Sequence, residues 1–148
     1  LVITPTKQEI LLPLPTRSTP YIHTTITPPA LMRKPIETLV DALIMVESSG
    51  NSHAHNKKER ACGCLQIRPI MLREVNRILR KQKSNKRYLL EDRWNCGLSK
   101  EMFYIWEDYY HKDSSDEIIA RCWNGGPRGF KKKQTQHYWG KVKKLWVK

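Results

Sequence analysis

The stretch Pro35-Ile36-Glu37-Thr38-Leu39-Val40-Asp41-Ala42-Leu43-Ile44-Met45-Val46-Glu47-Ser48-Ser49-Gly50-Asn51 marks an abrupt turn from extended to helical patterning. Ile36, Leu39, Leu43 and Ile44 recur at spacings of three, four and one, an apolar stripe along one helix face. Pro35 suits the first helical position, where its missing N–H leaves no bond unmade. Ser48-Ser49-Gly50-Asn51 stops the helix. Glu47 lies four residues after Leu43 and three after Ile44, so it continues the buried stripe. It also occupies a last helical turn, where the macrodipole disfavours negative charge. Burial and dipole both raise its pKa, and a carboxyl held protonated near neutrality is a general acid in waiting. The alternative is a solvated glutamate at a frayed helix end.

Upstream, residues 1–33 carry Pro5, Pro13, Pro15, Pro20, Pro28 and Pro29 among threonines and lack helical periodicity, which predicts an extended arm or linker. Downstream, a polar loop over 51–61 leads into Ala61-Cys62-Gly63-Cys64-Leu65-Gln66-Ile67, too short for a helix and read as a turn or extended segment. A helix from Pro69 puts Leu72, Val75 and Leu79 inward and gathers basic residues in its last turns, where the dipole favours them. The longest helix is expected over about 92–111, with Leu98, Met102, Ile105 and Tyr109 on its inner face. Ser114 and Glu117 form an S-x-x-E capping box for a helix carrying Ile118, Ile119 and Cys122, which Asn124-Gly125-Gly126-Pro127 ends. After a basic loop, Arg128 to Lys133, a final helix sets Tyr138, Val142 and Leu145 on one face. The expected fold is mostly α, a single domain over 34–148 with a small β element near 55–67.

The length of 148 residues suits one such domain with a core able to fold alone. No stretch approaches the ~20 apolar residues of a membrane span. The chain opens at Leu1 with no charged-then-apolar leader, so a processed product, a fragment or an omitted upstream segment is expected. The 27 basic and 14 acidic residues leave a charge of +13, which draws polyanions: nucleic acid, anionic lipid, or a wall bearing carboxylates and phosphates. No recognised nucleic-acid-binding motif accompanies it. Cys62, Cys64, Cys96 and Cys122 are even in number and compatible with disulfides or packed thiols. His53 and His55 followed by Cys62 and Cys64 gather four metal-ligand types, but zinc sites space paired cysteines more widely than C-x-C, and no metal is expected.

Four segments, in order, carry a family resemblance. Glu47-Ser48-Ser49-Gly50, Gly63-Cys64-Leu65-Gln66-Ile67 with Pro69, Cys122-Trp123-Asn124-Gly125-Gly126-Pro127, and Tyr138 in the terminal helix recur with the spacing of the soluble lytic transglycosylase domain, a lysozyme-like fold related to goose-type lysozyme. That pattern reads Glu-Ser-Ser/Gly-Gly, Gly-Leu-Met-Gln-Ile, Ala-Tyr-Asn-Ala/Gly-Gly-Pro, then a late Tyr. Asn95 resembles the asparagine opening the family's long central helix, and the match covers roughly residues 36–146. It implies a cofactor-independent enzyme that cuts peptidoglycan glycan strands between N-acetylmuramic acid and N-acetylglucosamine. Glu47 would be the general acid and then base, leaving a 1,6-anhydro end. Ser48 would contact substrate or steady Glu47, Gln66 and Asn124 would bind sugar substituents, and Tyr138 would aim its hydroxyl at Glu47 or the sugar. The implied settings are the bacterial envelope or periplasm, an extracellular site, an envelope machine, or a phage particle.

Two departures bear on the subsites. Cys64-Leu65 stands for the family's Leu-Met, and Cys122-Trp123 for its Ala-Tyr; Trp123 keeps an aromatic face and an N–H donor for a sugar but loses a hydroxyl. With four cysteines near the converging motifs, a disulfide joining Cys96 to Cys122 or to Cys64 is expected. Lysozyme-like hydrolysis would need a second carboxylate, and Glu59 is the acid between Glu47 and the Gly63 motif. A non-catalytic glycan-binding module is the reading from a different class; it would most easily arise by losing Glu47, which is present.

Overall fold

The computed structural model describes residues 36–146, within the compact unit Pro35–Lys148. The expected arm over 1–33 lies outside the described residues. The fold is mostly α with a small two-stranded sheet, as the periodicity predicts. Its helices are α1 (Leu39–Ser48), α2 (Pro69–Lys81), α3 (Cys96–Tyr110), α4 (Asp116–Gly125) and α5 (Lys133–Leu145). Short 3₁₀ turns at Leu90–Trp94 and Gly129–Lys131 precede α3 and α5.

Helix α1 begins at Leu39, later than Pro35 suggests. Thr38 Oγ1 accepts from the Asp41 amide and the Asp41 carboxylate accepts from the Thr38 amide, a reciprocal cap that fixes the first turn there. Asp41 also pairs with Lys100 of α3 at 3.0 Å, tying the two helices. Val40, Ala42, Leu43 and Ile44 are buried. Ser49 (φ 54°) and Gly50 (φ 82°) turn left-handed and end the helix.

The loop after α1 becomes an antiparallel hairpin, β1 (His55–Asn56) and β2 (Ala61–Cys62), with His55 opposite Cys62 and Asn56 opposite Ala61. A bridge between Cys62 and Ile67 closes the turn 63–66. At Gly63, φ is +82° and a Cβ would lie 1.8 Å from the Arg93 carbonyl oxygen, so backbone meets backbone and only glycine fits. Arg93 Nη1 then donates to the carbonyls of Arg60 (2.9 Å) and Ile67 (3.0 Å), clamping hairpin and turn. A disulfide between Cys64 and Cys96 joins the turn to the start of α3. The pairing with Cys122 is thereby excluded: Cys62 and Cys122 are buried free thiols.

Helix α2 starts at Pro69 and buries Leu72, Val75 and Leu79, as expected. The helix expected over 92–111 is divided. Leu90–Trp94 winds as a 3₁₀ turn, and Asn95 starts α3 by accepting the Leu98 amide at 3.0 Å. The buried face of α3 is Ser99, Met102, Phe103 and Trp106; Leu98 and Ile105 are half-buried and Tyr109 is exposed. The helix is rotated because Phe103 and Trp106 both pack on Trp123 of α4, centroids 5.1 Å away.

Ser115, not Ser114, caps α4 through the Ile118 amide. Ser114 Oγ instead meets His111 Nδ1 at 3.0 Å, and Glu117 pairs with Arg121. Ile119 and Cys122 are buried, whereas Ile118 is exposed. Gly126 (φ 85°) ends α4. Arg121 Nε donates to Thr135 Oγ1 (3.0 Å), whose hydroxyl donates to the Gly129 carbonyl (2.6 Å), so α4 and α5 are joined through the 3₁₀ turn between them. Helix α5 buries Tyr138 and Val142; Leu145, expected on the same face, is exposed. Among the described residues no helix is long and apolar enough to cross a membrane.

Candidate active site

Glu47 stands in the last turn of α1, and its carboxyl lines a cleft of about 820 Å³. The cleft walls come from α1 (Glu47), the hairpin loop (Glu59), the turn (Gln66), α2 (Glu74), α3 (Trp106) and the end of α4 (Asn124). The structure therefore gathers elements far apart in sequence around one carboxyl group.

Tyr138 of α5 donates its hydroxyl to Glu47 Oε1 at 2.9 Å, across 91 positions of sequence. Burial pushes the Glu47 pKa up to about 7. The Tyr138 bond and the Arg68 charge oppose that rise, and the Glu59 charge adds to it. An oxygen that accepts a hydrogen bond is the one without the proton, so neutral Glu47 carries its proton on Oε2. Tyr138 in turn holds its own proton firmly: burial, then the neighbouring Glu47, raise its pKa well above the ordinary value.

The other expected site residues fall into distinct positions. Ser48 does not line the cleft; its hydroxyl approaches the Cys64 carbonyl at 2.8 Å and the Ile44 carbonyl at 3.2 Å, fastening the end of α1 to the turn. Gln66 does line it, in a left-handed backbone conformation (φ 49°) uncommon for a residue with a side chain. Its Nε2 donates to the carbonyls of Ala54 (3.0 Å) and Gly63 (2.9 Å), which holds that conformation and leaves Oε1 as its available acceptor. Asn124 is exposed at the cleft. Trp123 also borders it, but only 7% of its surface is exposed, so most of the indole is core. Tyr138 reaches Glu47 from behind and is not part of the cleft lining. Glu59, exposed on the hairpin loop, is in the cleft.

The opposite side was not visible in the sequence. Glu74 and Tyr110 meet there across α2 and α3, the carboxylate accepting from the Tyr110 hydroxyl and from Arg77 Nε at 2.9 Å. The Arg77 bond is the main reason Glu74 is held below the usual carboxylate range. Arg68, at the mouth of α2, adds a cation to the lining. None of these belongs to a local motif, and only the helix pairing brings them together. Cys64, one of the possible metal ligands, is in the disulfide, and among the described residues no cluster of three or more His, Cys, Asp or Glu side chains is placed to hold a metal ion. Comparison with protein-family models, curated protein sequences and solved structures finds no match to this chain.

Proposed function

We propose that this chain is a peptidoglycan lytic transglycosylase that cleaves the β-1,4 bond between N-acetylmuramic acid and N-acetylglucosamine. The observation that carries the proposal is Glu47: a half-buried carboxyl with a pKa of about 7, hydrogen-bonded by Tyr138 and open to a cleft of about 820 Å³. A group titrating there can serve as both acid and base at neutral pH. Oε2 would give its proton to the glycosidic oxygen as the bond to the muramic anomeric carbon breaks. The resulting carboxylate, steadied by Tyr138, would then take the proton of the muramic 6-hydroxyl as that oxygen bonds to the anomeric carbon. The proton returns to Glu47, one glycosidic bond is exchanged for the 1,6-anhydro bond, and no water is consumed. Gln66 Oε1 and Asn124 would bind sugar substituents, Trp123 would offer its exposed margin, and Ser48 would steady Glu47 through the turn.

The charge of +13 suits a wall carrying carboxylates and phosphates, in the bacterial envelope or at a phage particle that crosses it. Hydrolysis of the same bond is the second reading, because Glu59 shares the cleft and its charge is felt at Glu47. Incubation with purified peptidoglycan tests both. Solubilisation that Glu47→Gln abolishes in a folded chain is expected, with anhydro-ended products by mass spectrometry that persist in Glu59→Gln. Reducing ends lost in Glu59→Gln would establish hydrolysis. Glycan binding without solubilisation would make the chain a binding module.

A further inference from the structure

The cleft contains a guanidinium that no described side chain or carbonyl bonds. Arg68 lines it, half-buried, at the N-cap of α2. Its backbone is fixed on both sides: Ile67 is bridged to Cys62 and bonded by Arg93, and Pro69 opens the helix. Other buried or half-buried arginines have work to do. Arg77 forks onto Glu74, Arg93 binds backbone carbonyls, and Arg121 binds Glu117 and Thr135. Arg68 makes no hydrogen bond or ion pair among the described residues.

Glu47 feels that charge, but none of the carboxylates around it forms a bond with the fork. Glu74 is engaged by Arg77 and Tyr110, Glu47 by Tyr138, and Glu59 forms no ion pair with Arg68. A guanidinium presents a planar fork of donors that matches a carboxylate in two parallel bonds. A fork whose donors are unbonded in a cleft is therefore a receptor for a carboxylate arriving with the ligand.

We infer that Arg68 is a specificity-determining residue that binds a carboxylate of the substrate, so that the cleft favours acidic muramic-acid strands over neutral N-acetylglucosamine chains of the same backbone. The inference rests on the proposed function and names what that site selects. The carboxylate has two sources: the peptide stem or, where the stem has been removed, the lactyl group of the muramic acid.

The test measures binding by the full chain carrying Glu47→Gln, with and without Arg68→Gln, so that no ligand is consumed. The ligands are peptide-bearing strands, amidase-stripped strands and neutral N-acetylglucosamine oligomers of equal length. Arg68→Gln should weaken at least one acidic ligand about tenfold and leave the neutral oligomer within about twofold. Loss on peptide-bearing strands alone assigns the stem carboxylate; loss on stripped strands assigns the lactyl group. Arg68→Lys should restore part of the affinity, since it returns the charge without the fork. Equal weakening of all ligands, no weakening of any, or no binding at all would overturn the inference. Cleavage by the unmutated chain is scored separately: cleavage without acidic preference sinks Arg68 alone, and acidic preference without cleavage sinks the reaction alone.

Discussion

Replacing Glu47 by Gln should stabilise the folded chain at alkaline pH while removing its chemistry. The ordinary carboxyl pKa is 4.5, and burial raises that of Glu47 to about 7. A raised folded-state value means that the folded chain holds its proton more tightly than the unfolded one. The stabilising contribution is therefore complete below about 4.5 and is lost as pH rises through about 7. Each pH unit between the two values corresponds to about 1.4 kcal/mol, so ionising Glu47 destabilises the fold by at most about 3.5 kcal/mol. The carboxyl opens on a cleft, where water screens part of this, and about 1–3 kcal/mol is the expected range.

Gln cannot ionise, and its carbonyl oxygen can still accept the Tyr138 bond. Below about pH 4.5 the two proteins should therefore unfold at similar denaturant concentrations. Toward pH 8.5 the variant should gain the full difference, roughly 5–10 °C in midpoint temperature for a domain of this size. Urea titrations of both proteins across this range measure it, and other titrating groups cancel in the difference. Parallel stability profiles, or a variant less stable at alkaline pH, would refute the claim that burial holds a proton on Glu47.

Further substitutions probe the supports of this group. Tyr138→Phe removes a donor that favours the carboxylate form, so the alkaline limb of activity should move upward by about one pH unit and the pH–rate profile should read it. Reducing the Cys64–Cys96 disulfide reopens a loop of sequence separation 32. That should lower stability by about 3–4 kcal/mol, measured as the shift in denaturant midpoint on adding reductant. Gly63→Ala drives a Cβ to within 1.8 Å of the Arg93 carbonyl at φ +82° and should cost more than about 3 kcal/mol. Gly50→Ala has the same φ of +82° with nothing within 4 Å, and thermal melts should show a loss of only about 1 kcal/mol.

Periodicity conveyed the helices because one apolar face is a local property; registers and ends depend on partners. The pairs Leu98/Ile105 and Phe103/Trp106 are both spaced for a buried face, and only the contact with Trp123 on another helix chooses the second. Periodicity runs through the division at Asn95, where only the resemblance, in which an asparagine opens the long central helix, pointed to the cap that forms there. Ser114 and Ser115 are adjacent potential caps, and the bond between His111 and Ser114 separates them. Pro35 signalled the start of α1 more loudly than Thr38 with Asp41, though the latter pair forms the cap. The burial of Glu47 was legible because it continues a local stripe. Its bond to Tyr138, and the presence of Arg68, Glu74 and Tyr110 in one cleft, depend on helix packing that no local pattern encodes.

The cleft has three carboxyl groups, Glu47, Glu59 and Glu74, and their surroundings assign them different chemistry. Glu74 is locked by Arg77 and Tyr110 and held anionic, which suits it to shaping the far wall rather than transferring a proton. Glu59 stands in solvent on the hairpin loop. Glu47 is raised to about 7, and in the proposed reaction its uncharged partner Tyr138 would let it work in both directions. An arginine in the position of Tyr138 would fix the carboxylate and end its service as an acid, whereas a purely apolar pocket would hold the proton too tightly for it to act as a base. A neutral hydroxyl moderates the rise without abolishing it. The Ser48–Cys64 bond ties the end of α1 to the turn at Gly63, and the disulfide ties that turn to the start of α3, so in the proposed reaction the hairpin and disulfide would act through the position of one carboxyl.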